Sequence, residues 1–385
     1  VMQLLRWPSA YLGLPILLAC SLTLLTYDLP DGYLAGILLL MTTAAAILFV
    51  DAFSTTRLPA MASFRRHRYA GTRDAFVALA FAAMVVIACL VDLTAFSIPL
   101  IDNPASYATM ENGREHVRHI SDMCWTLPSI GLLCVRRRWL RNALILVGVV
   151  FPILVIDRNR LFAGLIAMGL VIVFRRDESR PLPWKVIGLL ALAGGVAFSV
   201  LGTLRSGSIE HVTLPFGSLY LAMPQAIKWL LLYTSAGPYN FGGILARHYV
   251  NADFLVNQLV PFNGSVATAG TDIPLDASNI NIGTEFFPFV MAMGPLGAVA
   301  AMVGLYAMLR WSAWLLRGAS LFPLLIFLRV AYVAVMSPFA PQAYTFTHIG
   351  FIVLCLAMQL FAAWLPDRRA SAFPTPLEVS SHGTG

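Results

Sequence analysis

The sequence predicts an all-α fold: a polytopic integral membrane bundle of about ten helices, interrupted by one long loop. Three observations carry that prediction. Of the 385 residues, 58% are hydrophobic and only 12% charged, with a mean hydropathy of +0.76, whereas a soluble chain carries about 25% charged residues. Apolar runs recur from end to end, and the longer ones match the ~20 residues needed to cross ~30 Å of hydrocarbon. The 26 basic residues gather between alternate apolar runs, as topology signals do. That placement accounts for the net charge of +7 without nucleic acid as a partner.

Ten spans are predicted, at 9–27, 33–50, 75–97, 123–135, 142–156, 161–174, 184–203, 283–309, 320–337 and 348–364. The first reads as a retained span and not as a cleaved signal peptide. With the N-terminus inside, Arg6, the segments 51–74, 136–141, 175–183 and 310–319, the tail after 365 and Lys185 fall on one side. They hold 18 of the 26 Lys+Arg residues, so the positive-inside rule predicts two cytoplasmic termini. Residues 1–364 are read as one transmembrane domain, and 365–385, with Pro, Ser and Gly, as a disordered cytoplasmic tail. The other side receives a polar loop, 98–122, and a long loop, 204–282. Within the long loop, 219–234 reads as an amphipathic helix on the membrane surface; two further spans are the competing reading. The five cysteines lie in apolar runs without CxxC spacing, which predicts small packing residues and neither disulfides nor zinc.

Eight basic residues are left over: Arg114, Arg118, Arg158, Arg160, Arg205, Lys228 and Arg247 outside, and Arg329 within a span. Topology does not require them. Arg158 and Arg160 occupy the tight turn 157–160, where Gly, Asn or Ser would suffice. They suggest an anion site, or alternatively an Asp157–Arg160 pair capping the hairpin. Arg205 follows its span directly, near Glu210 and His211, and reads as a site residue or an interfacial anchor. Arg247 and His248 follow the Gly-rich stretch 237–243 in the long loop, as site residues or a solvated pair. Arg329 lies about ten residues from either end of its span, where a charge costs about 2.5–3.5 kcal/mol and requires a partner or a wet cavity. Asp92 is the candidate partner. Glu285 opens its span as a general base or as a first-turn carboxylate favoured by the helix dipole, with Thr284 capping. Glu115, His116, His119 and Asp122 fall at helical spacing and read as a solvated face rather than a metal site.

Two stretches and the overall plan resemble the Wzy family of oligosaccharide repeat-unit (O-antigen) polymerases. DRNRLFAGLIAMGLVIVF (157–174) is similar to that family's periplasmic arginine turn leading into a span. NIGTEFFPFVMAMGPLGAVAAM (281–302) resembles its Asn/Thr stretch followed by Phe and a G-x-x-G. Residues 289–291 are Phe-Val-Met where the family often carries Asp-Phe-Gly. The resemblance implies an enzyme of the bacterial inner membrane that transfers glycan from undecaprenyl pyrophosphate to a sugar hydroxyl of a second lipid-linked unit. It further implies no metal or cofactor, membrane lipids around it, and a flippase and a chain-length regulator as partners. Arg158, Arg160, Arg247 and Arg329 would then bind pyrophosphate, since guanidinium holds phosphate oxygens in pairs; Glu285, Arg205 and His248 would serve catalysis. An O-antigen ligase, a lipid-linked oligosaccharide flippase or other transporter, and an assembly protein are the alternatives.

Overall fold

The computed structural model describes residues 4–54, 57–58, 64–102, 113–175, 183–206, 212–260, 273–277, 280, 282–318 and 320–366; at 197–206 and 226 it describes backbone only. Among these residues the regular structure is helical, apart from one bridge between Tyr27 and Phe216. In chain order the α-helices are α1 (Ala10–Thr26), α2 (Tyr33–Ser54), α3 (Arg73–Ala95), α4 (Arg114–Ser121), α5 (Thr126–Cys134), α6 (Arg138–Leu154), α7 (Arg158–Phe174), α8 (Trp184–Ser206), α9 (Ser218–Leu221), α10 (Gln225–Ala246), α11 (Ala252–Leu259), α12 (Phe287–Leu315), α13 (Leu321–Met336) and α14 (Phe346–Trp364). Four segments are long and apolar enough to cross a membrane: α2, α3, α14, and α12 with its closing turn (Phe287–Gly318). α1, Trp184–Val196 and α13 are shorter apolar helices. Leu18, Phe49, Ile87, Leu192, Leu296 and Leu360 each expose more than half of their surface. Burying such side chains from water is worth roughly 25 cal/mol per Å², so helices that turn them outward are built for hydrocarbon. The fold is a helical membrane bundle.

Its centre is α13. From Leu321 to Ala334 every residue except Arg329 is buried, as expected of a helix that is apolar all round. The neighbouring helices run between two ends. At one end the Ser9 N–H donates to Asp51 at 2.7 Å, Asp74 accepts from the Ser320 hydroxyl at 2.8 Å, and the His67 N–H donates to the Leu132 carbonyl at 3.2 Å. This end holds the clustered arginines. At the other, the Thr23 hydroxyl donates to the Ser235 carbonyl at 2.9 Å, and Tyr332 reaches the carbonyl of Asn159 at 2.9 Å.

The structure moves several predicted boundaries. Arg138 and Arg141, placed in a loop, belong to the first turn of α6. The short span 123–135 is a 3₁₀ turn (Asp122–Trp125) running into α5. The long loop contains α9, α10 and α11, and α8 continues to Ser206. The surface helix expected at 219–234 is displaced: α10 begins after Pro224 and continues through the Gly-rich stretch. α10 lies across the ends of other elements. Ser235 meets Thr23, Gly237 abuts the Pro338 carbonyl, and Gly242 abuts the Tyr33 backbone so closely that a Cβ there would lie 2.7 Å from the Tyr33 carbonyl oxygen. The glycines that read as loop are what lets this helix approach its neighbours.

α12 is interrupted. Gly294 adopts φ +67° immediately before Pro295, dividing the helix into Phe287–Met293 and the longer shaft that follows. All five cysteines are buried and unpaired. Leu365 and Pro366 excepted, the predicted tail lies outside the described residues, as do Glu210 and His211.

Candidate functional site

A cavity of about 240 Å³ opens at the end of the bundle opposite the clustered arginines. Its wall is built from the α6–α7 turn, the 3₁₀ turn before α5, and the segment leading into α14; Arg329 of α13 lies on it too. Arg329 is eight positions before Ser337, so the cavity reaches about 12 Å down the helix.

The α6–α7 turn is costly to form. Ile156, buried and β-branched, has φ +55°, a left-handed conformation worth roughly 1–3 kcal/mol of strain. The turn delivers Asp157, which caps α7 by accepting the Arg160 N–H at 3.2 Å and pairs with the Arg160 Nε at 2.9 Å. Asp122, at the foot of α4, pairs with the same guanidinium. Arg160 therefore stands in the wall between two carboxylates, its side chain only 7% exposed. Asn159 fastens the turn to the core: its side-chain oxygen accepts from Gln342 at 2.9 Å and from the Tyr332 hydroxyl.

Arg329 is held differently. Its side chain makes no hydrogen bond or ion pair with any described residue. Its guanidinium lies 5.6 Å from the Trp125 ring centroid and 5.5 Å from that of Tyr332. Such rings supply roughly 0.5–2 kcal/mol each, yet they leave all five N–H donors unmatched. The proposed Asp92 partner is taken, because Arg114 donates to it at 2.8 and 3.1 Å and the Ser121 hydroxyl donates at 3.2 Å.

The other candidates lie elsewhere. Arg158, two positions from Arg160, projects from a different face of α7, as i,i+2 residues do. It stacks 4.8 Å from the Tyr233 ring and donates to that hydroxyl at 3.3 Å. Arg247 pairs with Asp276 and donates to Tyr33 at 2.7 Å. Burial works against the charged Asp276, but hydrogen bonds from Tyr239, Tyr33 and Arg247 win and hold its carboxyl below the usual range. His248, beside it, is exposed with φ +50°. The side chain of Arg205 is outside the description. Glu285 is fully buried before the first turn of α12, accepting backbone N–H groups of Gln342 and of Ala343 and Tyr344 at 2.7 and 3.3 Å. Burial nevertheless raises its carboxyl to about 7, against those three donors. Thr284 caps nothing; Phe286 takes the cap position without a side-chain bond. Glu285 thus supports the loop behind Gln342 and is not among the residues that line this cavity.

The four residues read as one solvated face divide: Asp122 and His119 line the cavity, while Glu115 and His116 face outward. The i,i+3 spacing of His119 and Asp122 was visible; the arginine they face was not. Sequence reasoning missed Asn159 and Gln342. Compared with known proteins, the chain matches no family model, no curated protein and no solved structure. The cavity must be read from its own chemistry: an unmatched guanidinium deep inside, and an arginine with two carboxylates and a histidine nearer α4.

Proposed function

We propose that the chain polymerises lipid-linked oligosaccharide repeat units in a bacterial inner membrane, with about ten spans and both termini cytoplasmic. The observation that carries this reading is Arg329, a cation without an acceptor among the described residues, sharing a cavity with Arg160. Both are charges that topology does not require. A pyrophosphate offers several oxygens to such donors, and guanidinium is the side chain suited to it. The long loop and its helices would supply sugar contacts above the cavity.

In this reading the donor's bond between C1 and the phosphate oxygen breaks as an acceptor hydroxyl oxygen bonds to C1. Negative charge grows on the departing pyrophosphate, and Arg329 stabilises it most in the transition state. The hydroxyl proton passes to Asp122 or His119, the titratable groups on the cavity wall besides Asp157. Glu285 and His248 have no part in that step, and Arg247 is occupied by Asp276. Lipid-linked polyprenyl pyrophosphate leaves, and the lengthened glycan remains on the acceptor's lipid.

Deleting the gene tests the reading. A polymerase deletion collapses the surface-polysaccharide ladder to a single repeat unit. A ligase deletion removes even that unit from its acceptor and leaves polymer on the carrier lipid. A flippase deletion strands single units on the inner leaflet. An unchanged ladder overturns all three.

A further inference from the structure

The arginine-rich end of the bundle has no part in that reaction, yet it is more than a topology signal. The segment after residue 64 folds back onto the last turn of α5. His67 N–H donates to the Leu132 carbonyl and Tyr69 N–H to the Leu133 carbonyl, each at 3.2 Å. Those bonds satisfy helix-end carbonyls and fix Arg65, Arg66 and Arg68 near Arg136, Arg137 and Arg138. All six are exposed, and none of their guanidiniums makes an ion pair or hydrogen bond with any described residue. Asp74, a carboxylate of this region, is engaged by the Ser320 hydroxyl and the Leu321 N–H at 2.8 and 3.2 Å. The effect registers on His67: burial, then the charges of Arg66, Arg141 and Arg136, lower its proton affinity.

Among these cations is an apolar slot. It has a volume of about 310 Å³, lined by Leu79, Cys134, Val135 and Leu140, with Arg136 and Arg137 at the same opening. A second hollow shares Gly71 and Leu79 with it and adds Arg73 and Phe76. Trp139, adjacent, is 67% exposed, as suits an indole at a membrane interface. The positive-inside rule requires a number of charges on one side; it does not require them gathered round an apolar slot, where they repel one another.

We infer that this end binds an anionic glycerophospholipid, its phosphodiester on Arg136, Arg137 and Arg66 and an acyl chain in the slot against Leu79, Val135 and Leu140. Charge complementarity selects an anionic headgroup, and basic pockets between helices are its usual receptors. The apolar lining selects a lipid over a free phosphate. Phosphatidylglycerol and cardiolipin share this chemistry.

The test counts lipid retained by the full chain in detergent, by native mass spectrometry, after delipidation and titration. The probes are phosphatidylglycerol, cardiolipin, phosphatidylcholine and inorganic pyrophosphate. Both anionic lipids should bind, one molecule of at least one of them surviving dilution; phosphatidylcholine should not bind, and pyrophosphate should not displace the lipid. The pair Arg136→Gln and Arg137→Gln should weaken binding about fivefold per arginine, whereas Lys at both positions should retain most of it. Leu140→Trp fills the slot with every charge intact and should weaken binding at least tenfold. Parental binding by Leu140→Trp, or equal retention of phosphatidylcholine, overturns the site. Displacement by pyrophosphate at equal concentration overturns it as well, leaving a non-specific field of charge. Should the Gln pair fail to insert, the Lys pair and Leu140→Trp still decide.

Discussion

Arg247 and Arg329 are the same residue in two opposite situations. Both are cations that charge-based topology leaves unexplained. Arg247 is enclosed by acceptors, with Asp276, the Tyr33 hydroxyl and the Pro274 carbonyl around one fork. Arg329 has two aromatic faces and no acceptor among the described residues. A guanidinium surrounded by its own chain's acceptors is finished structure. One whose donors face a cavity has room for an acceptor from outside the chain, as the proposed reading requires. The contrast also separates their costs, since the first contributes stability while the second consumes it.

The largest effect that would sharpen this contrast is at Arg329. Arg329→Lys keeps the charge and loses the fork, and should lower polymerising activity about ten- to a hundredfold, the value of one charge-assisted hydrogen bond lost in the transition state. Arg329→Met should abolish activity yet raise the thermal midpoint, because about 2.5–3.5 kcal/mol of desolvation is no longer incurred. Ladder formation at matched membrane expression and thermal unfolding in detergent measure the two. An Arg329→Met protein that is both active and less stable would break the comparison.

A smaller and opposite effect is expected at Arg247. Arg247→Ala should cost about 1 kcal/mol of stability, modest because the pair is 36% and 22% exposed and solvent screens it, with activity changed less than about twofold. The sign of its pH dependence follows from Asp276. Its folded carboxyl is depressed, so the stabilisation is present above the unfolded carboxylate range and is lost as pH falls through the folded value. Unfolding of parent and variant should therefore converge in acid. A large activity loss with unchanged stability would move Arg247 into the site.

The smallest effect on activity concerns Glu285. Its folded carboxyl, raised by burial to about 7 from an ordinary 4.5, binds protons more tightly than the unfolded chain does. Its contribution to stability therefore declines as pH rises from about 4.5 to 7. Glu285→Gln should flatten the thermal midpoint over that interval and keep most of the activity. Complete inactivation of a folded Gln variant would restore the general-base role.

Membrane character and helix order were legible because they rest on composition and local runs. The apolar helices lie close to their predicted positions, and the i,i+3 pairing of Asp157 with Arg160 needed only the turn's own sequence. What the sequence hid depends on contacts between distant residues. Asn159 meets Tyr332 and Gln342, 173 and 183 positions away, and no local pattern marks it. Arg114 pre-empted Asp92 for the same reason. The glycines of 237–243 illustrate a different failure: as local punctuation they predict a loop, whereas against Tyr33 and Pro338 they are the condition for close helix contact.

The interruption of α12 has a consequence for depth. The shaft from Pro295 to Leu315 is about 31 Å long at 1.5 Å per residue, matching the ~30 Å hydrocarbon layer by itself. The piece before it, Phe287–Met293, is thereby surplus to crossing, and its one carbonyl bond to the Asn251 N–H at 3.0 Å joins it to the helices above. The broken helix acts as a depth gauge. If the shaft fills the oily layer, Glu285 and the 342–344 segment it holds would be set among the lipid headgroups. The cavity mouth would then open where an amphiphile changes from tail to polar head, so the long-chain substrate of the proposed reading would enter sideways without lifting its tail out of the bilayer.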